Sequence, residues 1–421
     1  MMANQALRKK IIFDGAYGIR SFGDDAPLIV LVELLRQRLG EIDGVVVNRH
    51  MQDYDYSDYG LRSICGIEYQ TKEQAIGKWF RGFNPNDERD DLCRLYQEIE
   101  SSDLLVLGAG NFLVDYSIDI LKGSIPRFLV MSLMAEMTGT PIFWFGMSVG
   151  PLNTKIGRDM SRLAARMATV ITVRDEKSIT ELNRLGVEKE IFLLPDAALG
   201  LRFPAKGHGM KFPAYRNAHS GGDPVIAVSV RSMPSGAGLS TDDYIKLMSE
   251  TCNCLIEKYR CNVLFIPQCP YEFGNHAEDD RNIAAEVIKR SGKKEKLFSV
   301  EEKMNAYDCL SLYERAMGAV CTRLHGNVFS IRHGVPTVGL NYNPKVLEFY
   351  KWLGCEEYAM ELGNLSETRI VSALDDALRK RNVFAENAEK IMSDGVHALG
   401  KYADHAITAM AHKKSWLTSA T

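Results

Sequence analysis

Residues 319–340 read Ala-Val-Cys-Thr-Arg-Leu-His-Gly-Asn-Val-Phe-Ser-Ile-Arg-His-Gly-Val-Pro-Thr-Val-Gly-Leu. An apolar run, Ala319–Thr322, ends in Arg323, Leu324, His325 and Gly326; helical spacing follows over Asn327–Arg332, then a second apolar run over Thr337–Leu340. Runs this short and this apolar fit strands buried on both faces, and a helix between two of them makes the pair parallel. Strand, helix, strand is the building block of a doubly wound α/β sheet.

The same alternation extends outward. Upstream lie strand Val225–Val230, helix Thr241–Lys258, strand Asn262–Pro267, helix Glu278–Ser291, strand Leu297–Val300 and helix Ala306–Arg315. The first half repeats the scheme, with strands at Ile11–Phe13, Gly44–Asn48, Leu104–Gly108, Pro141–Phe145, Ala168–Val173 and Ile191–Leu194. Its helices read as Ala26–Leu39, Asp87–Glu100, Pro126–Thr138, Arg158–Ala165 and Glu176–Leu185. Between the halves, Pro204–Asp223 is rich in Pro, Gly and His and has no period. The expected organisation is an N-terminal Rossmann-like domain over 1–203, a linker over 204–223, a second Rossmann-like domain over 224–364 and a helical tail over 365–421. A chain of 421 residues exceeds the roughly 250–300 at which one core stops growing, which agrees with two domains.

Apolar residues at 46% and charged residues at 25% exclude a disordered chain, and a net charge of −3 argues against a general nucleic-acid surface. An anion site has to be built locally. The nine cysteines are odd in number and scattered through apolar runs, as expected for free thiols in a reducing compartment. Cys252 and Cys254 lack a second pair at zinc spacing and read as packing residues, so no metal site is expected. No secretion signal is evident in Met1–Lys10, and the apolar stretch 128–150 is broken by Glu136, Gly139 and Pro141. Both points fit a cytoplasmic protein.

Ligands of such sheets bind outside the carboxyl ends of the strands, in a cleft between two such domains. Arg323 and His325 gather there a permanent cation, a proton donor and the free amides of a helix start, beginning at Gly326. Arg231 ends the first strand of the second half, with the fork geometry that suits a carboxylate or phosphate. Phe265–Gln268 leads to His276 and to Asp279-Asp280, either acceptor contacts or a helix start. In the first half, Gly15–Asp25 with Asp24, Gly108–Asn111 with Gly110, Asn111 and Asp115, and Gly146–Pro151 with Ser148 all read as glycine turns after strands. Each is either a ligand-facing turn or a capped structural one.

Together these segments resemble the polysaccharide pyruvyl transferase family. The residues that carry the resemblance are Gly15–Asp25, Gly108–Asp115, Gly146–Pro151, Arg174–Gly186, Pro195-Asp196, Arg323-Leu-His325, Gly334–Pro336 and Tyr342–Lys345. The chain departs from the family pattern at Phe22, where asparagine is usual, and at Ala109-Gly110-Asn111, where glycine is denser. The resemblance implies two Rossmann-like domains facing a central cleft, of the GT-B type, with a phosphoenolpyruvate donor and a pyruvate ketal on a sugar. Phosphoenolpyruvate carries a phosphate and a carboxylate, so Arg231 and Arg323 are the natural binding pair, with Lys345 as a third cation. His325 is the expected acid for carbon 3 of the enol, its pKa raised by the phosphate beside it. Leu324 is expected to pack beneath the site. The scheme calls for no cofactor beyond the donor. The acceptor, a sugar or lipid-linked oligosaccharide, implies visits to the inner membrane surface, and Asn48–Phe83, with its tyrosines and Trp79, is the expected acceptor surface. A nucleotide-sugar glycosyltransferase of the same architecture and a non-catalytic binding module are the rival readings.

Overall fold

The computed structural model describes residues 8–49, 54–67, 91–115, 123–234, 237–270, 279–363 and 365–413. Strands β1 (Lys9–Asp14), β2 (Ile42–Asn48), β3 (Arg62–Cys65), β4 (Leu104–Leu113), β5 (Ile142–Val149), β6 (Val170–Val173) and β7 (Ile191–Leu193) form one parallel sheet, in the order β3-β2-β1-β4-β5-β6-β7. Helices α1 (Phe22–Leu39), α2 (Asp91–Glu100), α3 (Ser124–Thr138), α4 (Lys155–Met167) and α5 (Glu176–Arg184) belong to its crossovers. Strands β8 (Val225–Ser229), β9 (Asn262–Phe265), β10 (Leu297–Ser299), β11 (Gly318–Cys321), β12 (Thr337–Asn341) and β13 (Ala359–Glu361) form a second, in the order β10-β9-β8-β11-β12-β13. Around it run α6 (Pro213–His219), α7 (Thr241–Tyr259), α8 (Asp280–Arg290), α9 (Ala306–Ser311), α10 (Leu324–Arg332) and α11 (Pro344–Leu353). Helices α12 (Glu367–Arg379), α13 (Arg381–Lys390) and α14 (Val396–Met410) complete the described chain.

Both orders are the doubly wound one. In each sheet the winding reverses beside the first strand, between β1 and β4 and between β8 and β11. Apolar side chains fill each unit: Ile12, Leu105, Trp144 and Ile171 in the first, Ile226, Val263, Val320 and Val338 in the second. Each is 1% exposed or less, so the central strands are covered on their faces.

Contacts divide the chain into two compact units that do not follow the chain order. The first takes residues to Ile19, Pro27–Ala197 and the residues from Ala398; the second takes Arg20–Ala26 and Ala198–His397. The expected linker over 204–223 is instead part of the second unit: Phe212, Tyr215 and Ala218 are buried, and Asn262 Nδ2 donates to the Ala218 carbonyl at 2.7 Å. The tail divides. Helices α12 and α13 stay with the second unit, whereas Tyr402 of α14 stands edge-on to Phe145 at 4.8 Å and donates to the Pro195 carbonyl at 2.9 Å in the first.

Two expected glycine turns are strand. β4 runs on through Gly108-Ala-Gly-Asn111, and β5 through Gly146-Met-Ser148. A Cβ at Gly108 would overlap the Phe145 carbonyl, and the Tyr17 hydroxyl donates to the Gly108 carbonyl. The glycine therefore lets neighbouring backbone approach within a central strand instead of turning the chain. Helix α1 starts four residues before the expected Ala26, which places Asp24 and Asp25 in its first turn, where the helix dipole favours acids. Strands β3 and β13, short and at the sheet edges, carry no clear alternation in the sequence.

Candidate active site

Ser229 ends β8 and Cys321 ends β11, and the two are partners in register. Arg231 and Arg323, each two residues further on, thus leave adjacent strands at equivalent steps, at the switch point of the second sheet. Arg323 is also the N-cap of α10 and offers no side-chain cap to it. The amides of Leu324, His325 and Gly326 therefore begin a helix with no internal acceptor, where an anion is favoured. The helix starts at Leu324, three residues before the expected Asn327, so His325 and Gly326 lie in its first turn. Gly326 is needed there: a Cβ would stand 2.6 Å from Ser229 Oγ. Leu324 is buried.

Arg323 does not face the switch point as an unshared cation. Its Nε lies 3.1 Å from both carboxylate oxygens of Asp280, and its Nη2 2.5 Å from one. Asp280 is 1% exposed and also accepts from the amides of Gln268 and Cys269, each at 3.0 Å. Burial disfavours charge on Arg323, but Asp280 outweighs it and holds the guanidinium proton more tightly than usual. Burial likewise pushes the Asp280 carboxyl up while Arg323 pulls it down. The pair orients Arg323 and cancels most of its charge.

The surplus of positive charge comes from Arg231 and Lys345. The Arg231 guanidinium stacks over the Tyr342 ring at 4.3 Å, and Lys345 Nζ lies 5.9 Å from the same ring. Lys345 is in the first turn of α11, whose N-cap Asn343 accepts from its amide at 3.2 Å. Burial raises the Tyr342 pKa, yet Lys345, Arg231 and Arg323 lower it more, to about 7. Three cations around one phenol make this a strongly positive pocket.

His325 is held by steric fit. A Cβ on Gly23 would overlap the imidazole ring, so the ring rests directly on the backbone at the start of α1. That segment is pinned in turn by the Phe22 amide, which donates to the Gln268 carbonyl at 3.0 Å. The Gly-Asp step at 23–24 therefore serves the site through its glycine. Asp24 is half-buried, and its amide closes on Ser21.

The candidates Gly15, Gly110, Asn111, Asp115 and Ser148 lie within the first unit. A Cβ on Gly15 would come within 2.5 Å of the Gly108 carbonyl, and one on Gly110 would overlap the Phe112 ring, so both glycines are explained by packing. Asn111 lies on β4 beside Ser148 on β5. Ser148 donates to Asp175 at 2.7 Å and accepts from Arg174 Nε at 2.9 Å, while Arg174 pairs with Asp196 at 2.7 Å. Asp115 accepts from the Thr154 amide and hydroxyl at 2.9 and 3.0 Å, bracing the start of α4. Within 48–83, Tyr54 and Tyr56 are buried against each other at 4.8 Å and offer no face for a sugar; Trp79 lies outside the described residues, as does His276. Sequence reasoning passed over Gly23 and Tyr342 as site residues and left Asp280 open as a helix start. Tyr342 was visible as the start of the Tyr342–Lys345 segment, three residues before Lys345, but its neighbours were not.

Paired and surplus cations, an open helix start and a histidine thus meet at the switch point of the second of two Rossmann-type units, an arrangement suited to an anion. The family model for polysaccharide pyruvyl transferase matches residues 22–344, and the chain belongs to that family. It is 24% identical over 294 residues to the amylovoran biosynthesis protein AmsJ of Erwinia amylovora, covering 68% of each chain. In fold it is similar to the UDP-GlcNAc 2-epimerase of Methanocaldococcus jannaschii, with a TM-score of 0.57 at 13% identity, covering 91% of this chain and 98% of that one. It is also similar to that of Neisseria meningitidis, with a TM-score of 0.55 at 10% identity, covering 95% and 99%.

Proposed function

We propose that the protein transfers the pyruvyl group of phosphoenolpyruvate to a sugar of a polysaccharide precursor and closes it as a ketal. The observation that carries this reading is the set of three cations around Tyr342, balanced by the single carboxylate of Asp280. Such a surplus matches a small donor bearing both phosphate and carboxylate. Arg231 and Lys345 supply the charge, and Arg323, fixed by Asp280, supplies a directed fork. The amides at the start of α10 receive a further oxyanion.

His325 protonates carbon 3 of the enol, which becomes the methyl group, and carbon 2 becomes cation-like. One sugar hydroxyl attacks carbon 2, the bond from carbon 2 to the phosphate oxygen breaks, and a neighbouring hydroxyl adds to close the ketal. Of the two hydroxyl protons released, one restores His325 and the other leaves with phosphate. No metal or further cofactor enters this scheme. The relative named for amylovoran biosynthesis supports an exopolysaccharide acceptor. On this reading the enzyme works in the cytoplasm and meets a lipid-linked sugar at the inner membrane surface. Among the described residues no helix is long and apolar enough to cross a membrane.

The test is incubation with phosphoenolpyruvate and sugar acceptors, following phosphate release and the methyl proton signal of the ketal. Both should appear together and depend on His325. A stabilising thermal shift with a nucleotide sugar and none with phosphoenolpyruvate would favour the glycosyltransferase instead.

A further inference from the structure

Helix α10 carries His325 at one end and Arg332 at the other. Arg332 is 4% exposed, yet its Nε and Nη1 have no hydrogen-bond partner among the described residues, and no carboxylate there pairs with it. Its guanidinium stacks on the Phe203 ring at 4.5 Å. Burial alone brings its pKa down to about 10, so it stays charged at neutral pH. A buried charge without a counter-charge costs several kcal/mol, and an arginine cannot relieve this by losing its proton.

Arg332 lines an open pocket of about 500 Å³, together with Phe203, Lys206, Ser311, His333 and Glu314. Lys206 adds a second cation at the rim. Glu314 offsets one of these two charges and leaves one in excess: its Oε2 accepts from the Gly207 amide at 2.9 Å, and among the described residues it forms no ion pair with Arg332 or Lys206. His333 is neutral, its pKa lowered to about 4 by burial, with Nε2 bound to the Leu310 carbonyl at 3.0 Å. A ring on one face of a guanidinium leaves its in-plane N–H groups for a fork contact with an oxyanion.

We propose that this pocket is a second anion site, separate from the switch point, that takes the phosphate or carboxylate of a small metabolite on Arg332 and Lys206. All its walls belong to the second unit, so it is complete within one Rossmann-type fold.

The test titrates the full-length Arg231→Ala variant, whose switch-point site is weakened, with inorganic phosphate and separately with acetate at constant ionic strength. One saturable site for at least one of the two is expected, the tighter anion giving the ligand class. Adding Arg332→Met should weaken binding at least tenfold; Ala388→Phe, which fills the pocket from α13, should do the same and serves if the methionine variant does not fold. Binding of neither anion to Arg231→Ala, or unchanged binding in the folded double variants, overturns the proposal and leaves a pocket that holds water only.

Discussion

The two switch points occupy equivalent places in equivalent sheets, and their charges are arranged in opposite ways. In the first unit Asp14, at the end of β1, faces Arg127 at 3.6 Å, both almost fully buried, and Arg127 also donates to the Gly15 carbonyl at 2.9 Å. Beyond it Arg174, Ser148, Asp175 and Asp196 form a chain of paired charges. In the second unit one carboxylate faces three cations, and the surplus settles on a tyrosine. Backbone topology is shared by both; side-chain charge is what sets them apart.

The sharpest break of this contrast is His325→Ala, which should lower kcat by about 10²–10⁴ while leaving the unfolding midpoint in place. Gly23→Ala should move the same way by roughly tenfold through displacement of the ring, seen as a kcat loss with the donor KM kept. A normal kcat for His325→Ala would remove the acid from the mechanism. Next in size is Asp280→Ala. It strands Arg323 in a buried place and should cost about 3–5 kcal/mol in urea unfolding, against near zero if the pair were solvated.

Arg231→Ala should raise the donor KM by about 10–100-fold, the worth of one or two charge-assisted hydrogen bonds. Arg127→Ala, its counterpart in the first unit, should cost stability and leave the donor KM unchanged. Equal effects on KM would show that the donor is shared between the units. The smallest effect is in the pH profile. Tyr342 titrates at about 7 and is neutral below that, so the site is most positive on the acid side and loses one unit of charge as pH rises. Donor KM should climb several-fold from pH 6 to pH 8 (about 1 kcal/mol or less), and Tyr342→Phe should flatten that climb.

The sheets were legible because strands buried on both faces must be apolar throughout, and helices between them must keep a polar face. The placement of Arg231, Arg323 and His325 just after strand ends was legible because the apolar runs that precede them mark where the strands stop. What could not be read depends on distant neighbours. Nothing local to Arg323 announces Asp280, 43 residues earlier, and nothing near Gly23 announces an imidazole far along the chain. Gly108 and Gly110 misled for a related reason: glycine marks a tight turn and a close crossing of backbone alike, and only the Phe145 carbonyl beside Gly108 tells them apart. The low tyrosine pKa needs three side chains from three segments, those that follow β8, β11 and β12, so no single motif carries it.

That tyrosine also gives the protein a built-in indicator dye. With its pKa lowered to about 7, Tyr342 should be partly phenolate near neutral pH, and phenolate absorbs at longer ultraviolet wavelengths than phenol. An anion seated among Arg231, Arg323 and Lys345 restores the proton, because a second negative charge there is unfavourable. Binding of phosphoenolpyruvate there should therefore be read as a loss of phenolate absorbance and an uptake of protons from weak buffer, both measurable on the unlabelled protein before any sugar is present.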